Sequence, residues 1–360
     1  MARVVRGVVA TVKLGRPRYL SIMVTPFVVA FLASDSDDVA YLVLGTLAVI
    51  LYQGVTSIGN CISDELEDRV DYPERTALCE LVTYERLRLV VAGMSVAYLL
   101  IVLAMATVLD IQLDTVGLWV LYLFGTLMYS FARVKTRTMG PPILLGSLSA
   151  ALAWVGFWGF GDALSWAGDL HLAALVELDP GRLFTGPMIV IGPAILLLWL
   201  FGGTLCGSKD VPNLEGDALI GYESIYLKIV KGPHALVRVI AVMSLPYVLA
   251  LAFIASGYEQ PAPWVLLGYP FALVFALVLV RAREQLEREL VRECGYVYWQ
   301  VFMSLVLLSI DQTSLTVTIL AGSLAWWFFN SRLMHPDPTL VRLDNALILG
   351  SLVRRMPARA

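Results

Sequence analysis

Charge is scarce in this chain. Of its 360 residues only 15% are Asp, Glu, Lys or Arg, against about 25% in a soluble globular domain. Hydrophobic residues make up 58% and mean hydropathy is +0.76, which excludes an ordinary soluble fold. A basic excess is also missing: 26 Lys and Arg against 29 Asp and Glu leave a net charge of −3, so there is no nucleic-acid footprint. Histidines number three and cysteines four. Cys61, Cys79, Cys206 and Cys294 fit no zinc spacing, and the topology below puts all four near the cytoplasmic face, where disulfides are rare. Alternating segments of about 10 residues, the mark of a membrane β-barrel, are absent. No small-residue cleavage site follows the basic stretch from Met1 to Arg18, so the first apolar span reads as a retained helix.

What is present is a series of long apolar runs. They lie at roughly 19–34, 39–59, 87–109, 116–131, 141–160, 186–206, 235–256 and 263–281, with a last region at about 297–330 that holds Asp311 and Gln312 at its middle. Runs of this length cross a bilayer as helices. The expected fold is therefore all-α, a polytopic transmembrane bundle of nine or ten helices around a central cavity. The count depends on whether Asp311 marks an interruption. Residues 1–330 read as one membrane domain and 331–360 as a peripheral or disordered tail. Basic residues concentrate in alternate loops: Arg3 to Arg18, Arg69 to Arg88, Arg133 to Arg137, Lys209 to Lys231 and Arg281 to Arg292. The loops between hold one, Arg182. The positive-inside rule makes the basic side cytoplasmic. Trp326, Trp327, Phe328 and Phe329 read as an interfacial belt.

Two acidic segments stand at the cytoplasmic ends of apolar runs. The first carries Asn60, Asp64 and Asp68; the second carries Asp210, Asn213 and Asp217. Spacings of i, i+4, i+8 and i, i+3, i+7 put each trio on one helix face, within about 80° for the first. Carboxylates beside membrane spans are costly unless they face a cavity and have partners. Two trios of hard oxygen ligands point to Mg²⁺, and a diphosphate is the natural co-ligand beside a membrane. Arg75, Lys135, Arg137 and Lys209 are the candidates for its remaining oxygens, and the apolar interior suits a hydrocarbon tail.

These segments resemble the motifs of the UbiA superfamily of intramembrane prenyltransferases. The family's first motif, Asn-Asp-x-x-Asp-x-x-x-Asp followed by Ile-Asn-x-Pro-x-Arg-Pro, is matched by Asn60, Asp64, Asp68, Val70, Pro73 and Arg75. The second, Lys-Asp-x-x-Asp-x-x-Gly-Asp-x-x-x-Gly, is matched by Lys209, Asp210, Gly216, Asp217 and Gly221. Tyr129 to Arg137 is similar to the family's Tyr-Ser-x-Pro-Pro-x-Arg-Leu-Lys element. Departures are Cys61 for the usual first aspartate, Asn213 for an aspartate of the second motif, and Ala132 and Arg133 for the prolines. Cys61 reads as a structural replacement, not a nucleophile.

The resemblance implies Mg²⁺-dependent ionisation of an isoprenyl diphosphate and transfer of the prenyl group to an acceptor, usually an aromatic or quinone precursor. Asp64, Asp68, Asp210 and Asp217 would be the catalytic acids. Without an acceptor the same machinery serves as a UbiA-type terpene cyclase. An ion-coupled transporter is the rival from another class, but it calls for acids near the bilayer midplane, and these stand at helix ends.

Overall fold

A computed structural model describes residues 2–34, 36–132, 140–157, 183–184, 188–206, 211, 229–230, 232–334, 350–351 and 353. Thirteen α-helices stand among the described residues. In chain order they are α1 (Ala2–Leu14), α2 (Leu20–Ala33), α3 (Val39–Ser63), α4 (Glu65–Asp71), α5 (Pro73–Val82), α6 (Tyr84–Val108) and α7 (Leu113–Phe131). The remainder are α8 (Gly140–Phe157), α9 (Met188–Cys206), α10 (Ala235–Ala255), α11 (Tyr269–Arg281), α12 (Gln285–Ile310) and α13 (Ser314–Leu333). All but α1, α4 and α5 occupy the apolar runs of the sequence. Seven of the ten are long and apolar enough to cross a membrane by themselves: α3, α6, α7, α9, α10, α11 with its leading 3-10 turn, and α12.

The last apolar region is two helices. α12 begins at Gln285, well ahead of the apolar run, because its first turns carry Glu287, Arg288 and Arg292. A reciprocal capping box between Glu284 and Glu287 fixes that start. The interruption falls at Asp311. Its carboxylate accepts from the Thr313 backbone N–H at 3.0 Å, from Thr313 Oγ1 at 2.9 Å and from Thr316 Oγ1, while Thr313 caps α13 through the Thr316 N–H.

The bundle has two apolar clusters. One gathers α1, α2, α3, α5, α6, α7 and α8; the other gathers α2 and α8 with α9 to α13. Helices α2 and α8 belong to both, and they approach closely: a Cβ on Gly156 of α8 would stand 2.3 Å from the Phe27 carbonyl oxygen. Small residues allow this backbone approach where no hydrophobic force pulls helices together in lipid. Outward faces stay apolar. Leu89, Leu100, Leu103 and Val108 on α6, Leu121 and Phe124 on α7, and Val237, Val248 and Leu251 on α10 are all exposed. Surfaces of this kind belong against lipid tails.

Helix α13 closes on α2 through polar bonds inside the bundle. Thr25 Oγ1 donates to Ser323 Oγ at 2.9 Å, Ser323 Oγ donates to the Ser21 carbonyl at 3.2 Å, and the wholly buried Gln300 of α12 donates to Ser21 Oγ. Trp326 Nε1 donates to the Pro17 carbonyl at 2.8 Å. Trp327 departs from the interfacial belt expected of it. It is 2% exposed and packs on Tyr19 and Tyr296, whereas Trp326, Phe328 and Phe329 remain exposed.

Candidate functional site

The first acidic segment forms where α3 runs out of apolar sequence. Ser63 Oγ donates to Asp64 Oδ1 at 2.5 Å and to the Asn60 carbonyl at 3.1 Å. The helix is interrupted at Asp64, whose φ and ψ are −99° and 18°. The i to i+4 bonding nevertheless runs through it: the Asp64 N–H donates to Asn60 O at 2.9 Å, and the Asp68 N–H donates to Asp64 O at 2.7 Å. The short α4 thus continues the path of α3. Pro73, at the first position of α5, starts the next helix where its missing N–H costs nothing.

Each member of the first trio has a partner. Asn60 Oδ1 accepts from Ser130 Oγ of α7 at 2.7 Å. Asp68 is 4% exposed, and both of its oxygens accept from Arg75 Nη1, at 2.7 and 2.9 Å. Burial pushes the Asp68 pKa up, Arg75 pulls it back, and the Asp64 carboxylate adds to the rise, so it stays above the ordinary carboxylate value. Burial works against the Arg75 charge, but Asp68, Cys61 and Tyr72 outweigh it and raise its pKa. Cys61 and Cys79 are free and buried. Hydrogen bonding to Cys61, then burial, raises the Cys79 pKa and keeps it a thiol.

A chain of contacts leads from Asp68 to distant parts of the sequence. The Arg75 guanidinium lies over the Tyr72 ring, 4.2 Å from its centroid. Arg292 of α12 lies over the same ring at 5.1 Å, and its Nη1 donates to the Tyr72 hydroxyl. Beside Arg292, Glu293 accepts from Arg18 Nη1 at 2.6 Å and Nη2 at 3.1 Å. Tyr19, Tyr296 and Trp327 enclose Arg18 at 4.9 to 5.6 Å. Tyr72, Arg292, Arg18 and Glu293 were not among the residues the sequence singled out. Glu293 and Arg292 open α12 ahead of its apolar run, and that was the one signal available.

Of the second segment, Val211 is described. It is 4% exposed and belongs to the same apolar cluster as Val291 and Trp299 of α12. Helix α9, which leads into this segment, stacks Phe201 on Phe302 at 3.9 Å and meets Tyr298 edge-on at 4.9 Å. Lys209, Asp210, Asn213 and Asp217 lie outside the described residues, as do Lys135 and Arg137. Among the described residues no group of three His, Cys, Asp or Glu is arranged to hold a metal ion. Asn60, Asp64 and Asp68 offer oxygen donors alone, the donor chemistry a hard cation takes, with Asp68 already shared with Arg75.

An all-helical membrane bundle with an acid-lined polar end is the class of protein these features define. The model of the UbiA prenyltransferase family matches residues 22–306, and the chain belongs to that family. The match ends inside α12, so α13 lies beyond it. Solved structures share the fold at low identity. A digeranylgeranylglyceryl phosphate synthase structure is 15% identical with a TM-score of 0.53, covering 89% of this chain and all of that one. UbiA homologues from Archaeoglobus fulgidus, bound to DMAPP and Mg²⁺ or to GPP and Mg²⁺, are 15% and 13% identical with a TM-score of 0.52, each covering 82% of this chain and 99% of that one. No functionally curated protein matches the chain.

Proposed function

We propose that this protein ionises an isoprenyl diphosphate at the polar end of its bundle and transfers the prenyl group to an acceptor, with an aromatic or quinone precursor as the class. The observation that carries the reading is Asp68 buried with Arg75 beside Asp64, in a chain that belongs to a prenyltransferase family. The archaeal relatives bound to prenyl diphosphates and Mg²⁺ support the same substrate class and metal. Asn60, Asp64, Asp68, Asp210, Asn213 and Asp217 would hold Mg²⁺, which would neutralise charge on the leaving diphosphate.

The chain's own residues supply the rest. Arg75 orients Asp68 by holding both of its oxygens. Ser63 and Ser130 orient Asp64 and Asn60. Lys135, Arg137 and Lys209 would take diphosphate oxygens, as would the Arg75 donors not spent on Asp68. The buried aromatics between α9 and α12, Phe201, Phe302 and Tyr298, would keep water from an allylic cation. Placement of the site at the cytoplasmic face follows from the distribution of Lys and Arg, and residues 1–330 would form the enzyme domain.

The test is incubation of purified protein with farnesyl, geranylgeranyl and longer diphosphates, with and without an aromatic acceptor, reading diphosphate release and products. Prenylated acceptor is the expected result, and cyclic hydrocarbons formed without acceptor would assign a terpene cyclase instead. Asp64→Ala and Asp210→Ala should each lower release by about a hundredfold or more. Wild-type release from both variants would refute the site.

A further inference from the structure

Three guanidiniums and two carboxylates meet where α12 crosses the polar end of the bundle. Arg18 occupies both oxygens of Glu293, and Arg75 occupies both oxygens of Asp68. Among the described residues, Arg292 has no carboxylate within hydrogen-bond distance. It is 8% exposed. The carboxylate it approaches is Glu293, at 3.7 Å and already shared with Arg18. Its Nη1 has the neutral Tyr72 hydroxyl, while its buried Nε–H, the atom that faces Glu293 at 3.7 Å, has no acceptor at hydrogen-bond distance among the described residues. Arg75 has a second buried Nε–H with no acceptor among the described residues. Both guanidiniums lie over one ring, that of Tyr72.

A buried guanidinium with donors left unmet is costly until an acceptor joins it. A helix tie alone accounts poorly for this arrangement, because a neutral side chain would hold Tyr72 without a desolvated charge. Two planar donor groups on one aromatic platform suit an anion with several oxygens, since guanidinium geometry matches phosphate oxygens in pairs. The adjoining residues agree. Asp68 of the first acidic segment stands beside the pair through its ion pair with Arg75.

We infer that Arg292 is a further diphosphate-binding residue, forming with Arg75 an oxyanion clamp seated on Tyr72. This rests on the prenyl-diphosphate reading above and adds a contact from a fourth part of the chain. Substrate specificity at the polar end would then be set by α12 as well as by the two acidic segments.

The test uses the full chain in detergent or nanodiscs, with inorganic diphosphate and Mg²⁺ as the probe and calorimetry as the readout. Arg292→Gln should weaken diphosphate binding by about tenfold or more, the worth of one charge-assisted contact. Arg292→Lys, which keeps the charge and loses the Nε–H, should fall between. Tyr72→Phe keeps the ring and removes only the hydroxyl, so it should weaken binding far less than Arg292→Gln. If Arg292 only ties α12 to α5, Tyr72→Phe will match Arg292→Gln and the unfolding midpoint will fall in step. That result, or unaltered binding in Arg292→Gln, overturns the clamp. Asp64→Asn run alongside separates the two levels. Loss of binding there with none in Arg292→Gln removes the clamp alone; wild-type binding in both removes the diphosphate reading itself.

Discussion

Two acids at helix ends meet opposite fates. Asp311, between α12 and α13, is satisfied within five residues by Thr313 and Thr316. Asp68, in α4, is buried, holds Arg75, and through Tyr72 joins Arg292 some 220 residues along the chain. Burial raises the pKa of both; at Asp311 the threonine bonds outweigh it and the pKa falls, whereas at Asp68 burial prevails over Arg75. An acid satisfied by its own turn is a cap. An acid satisfied by a buried cation from another helix gains no local structure, so its desolvation has to be supported by the rest of the fold.

Removal of each acid tests that contrast most strongly. Asp68→Ala strands the Arg75 guanidinium, whose side chain is 13% exposed. Breaking a buried pair on one side costs about 3–5 kcal/mol, so the unfolding midpoint should drop sharply, and diphosphate release should fall by about a hundredfold or more. Asp311→Ala should leave release within about twofold, since surface changes remote from a site act weakly. Comparable losses of release in the two variants would erase the distinction.

A smaller effect separates stability from chemistry at Asp68 itself. The double variant Asp68→Asn with Arg75→Gln removes both charges and leaves two amides able to bond. Contacting residues couple by about 0.5–3 kcal/mol, so the double variant should regain much of the midpoint lost in Asp68→Ala. Diphosphate release should stay low. Recovery of both would make the pair structural only.

The distribution of charge along the sequence explains what it disclosed and what it hid. Apolar runs placed nine helices and left open a tenth beyond Asp311, because in lipid each span must bond its own backbone and so carries its own length signal. The start of α12 was hidden since Glu287, Arg288 and Arg292 break the hydropathy of a helix whose charged turns lie inside the protein. Trp327 was misplaced for a related reason: an aromatic cluster at a helix end looks alike whether it faces headgroups or covers Arg18. In the first acidic segment, Asn60, Asp64, Asp68 and Arg75 were singled out by helical spacing and family register. Tyr72, Arg292, Arg18 and Glu293 were not, because their roles come from contacts between α5, α12 and the start of α2, which no local pattern encodes.

The weakest expected effect lies at Asp311, and it has a sign. Burial works to raise its pKa, but bonds from Thr316 and Thr313 hold it below the ordinary 3.8. A depressed folded-state pKa gives stability that is present above the unfolded value and lost as pH falls through the folded one. Asp311→Asn should therefore cost about 0.5–1 kcal/mol near neutrality, discounted for solvent screening, and the gap to wild type should close as pH falls through the carboxylate range. Asp68→Asn should show the opposite trend. Its raised pKa makes proton uptake favour the folded state, so wild type should gain stability relative to the variant as pH falls through the carboxylate range. Unfolding midpoints of the two variants between pH 7 and pH 3 read both slopes, and parallel slopes would mean that the two acids are held in the same way.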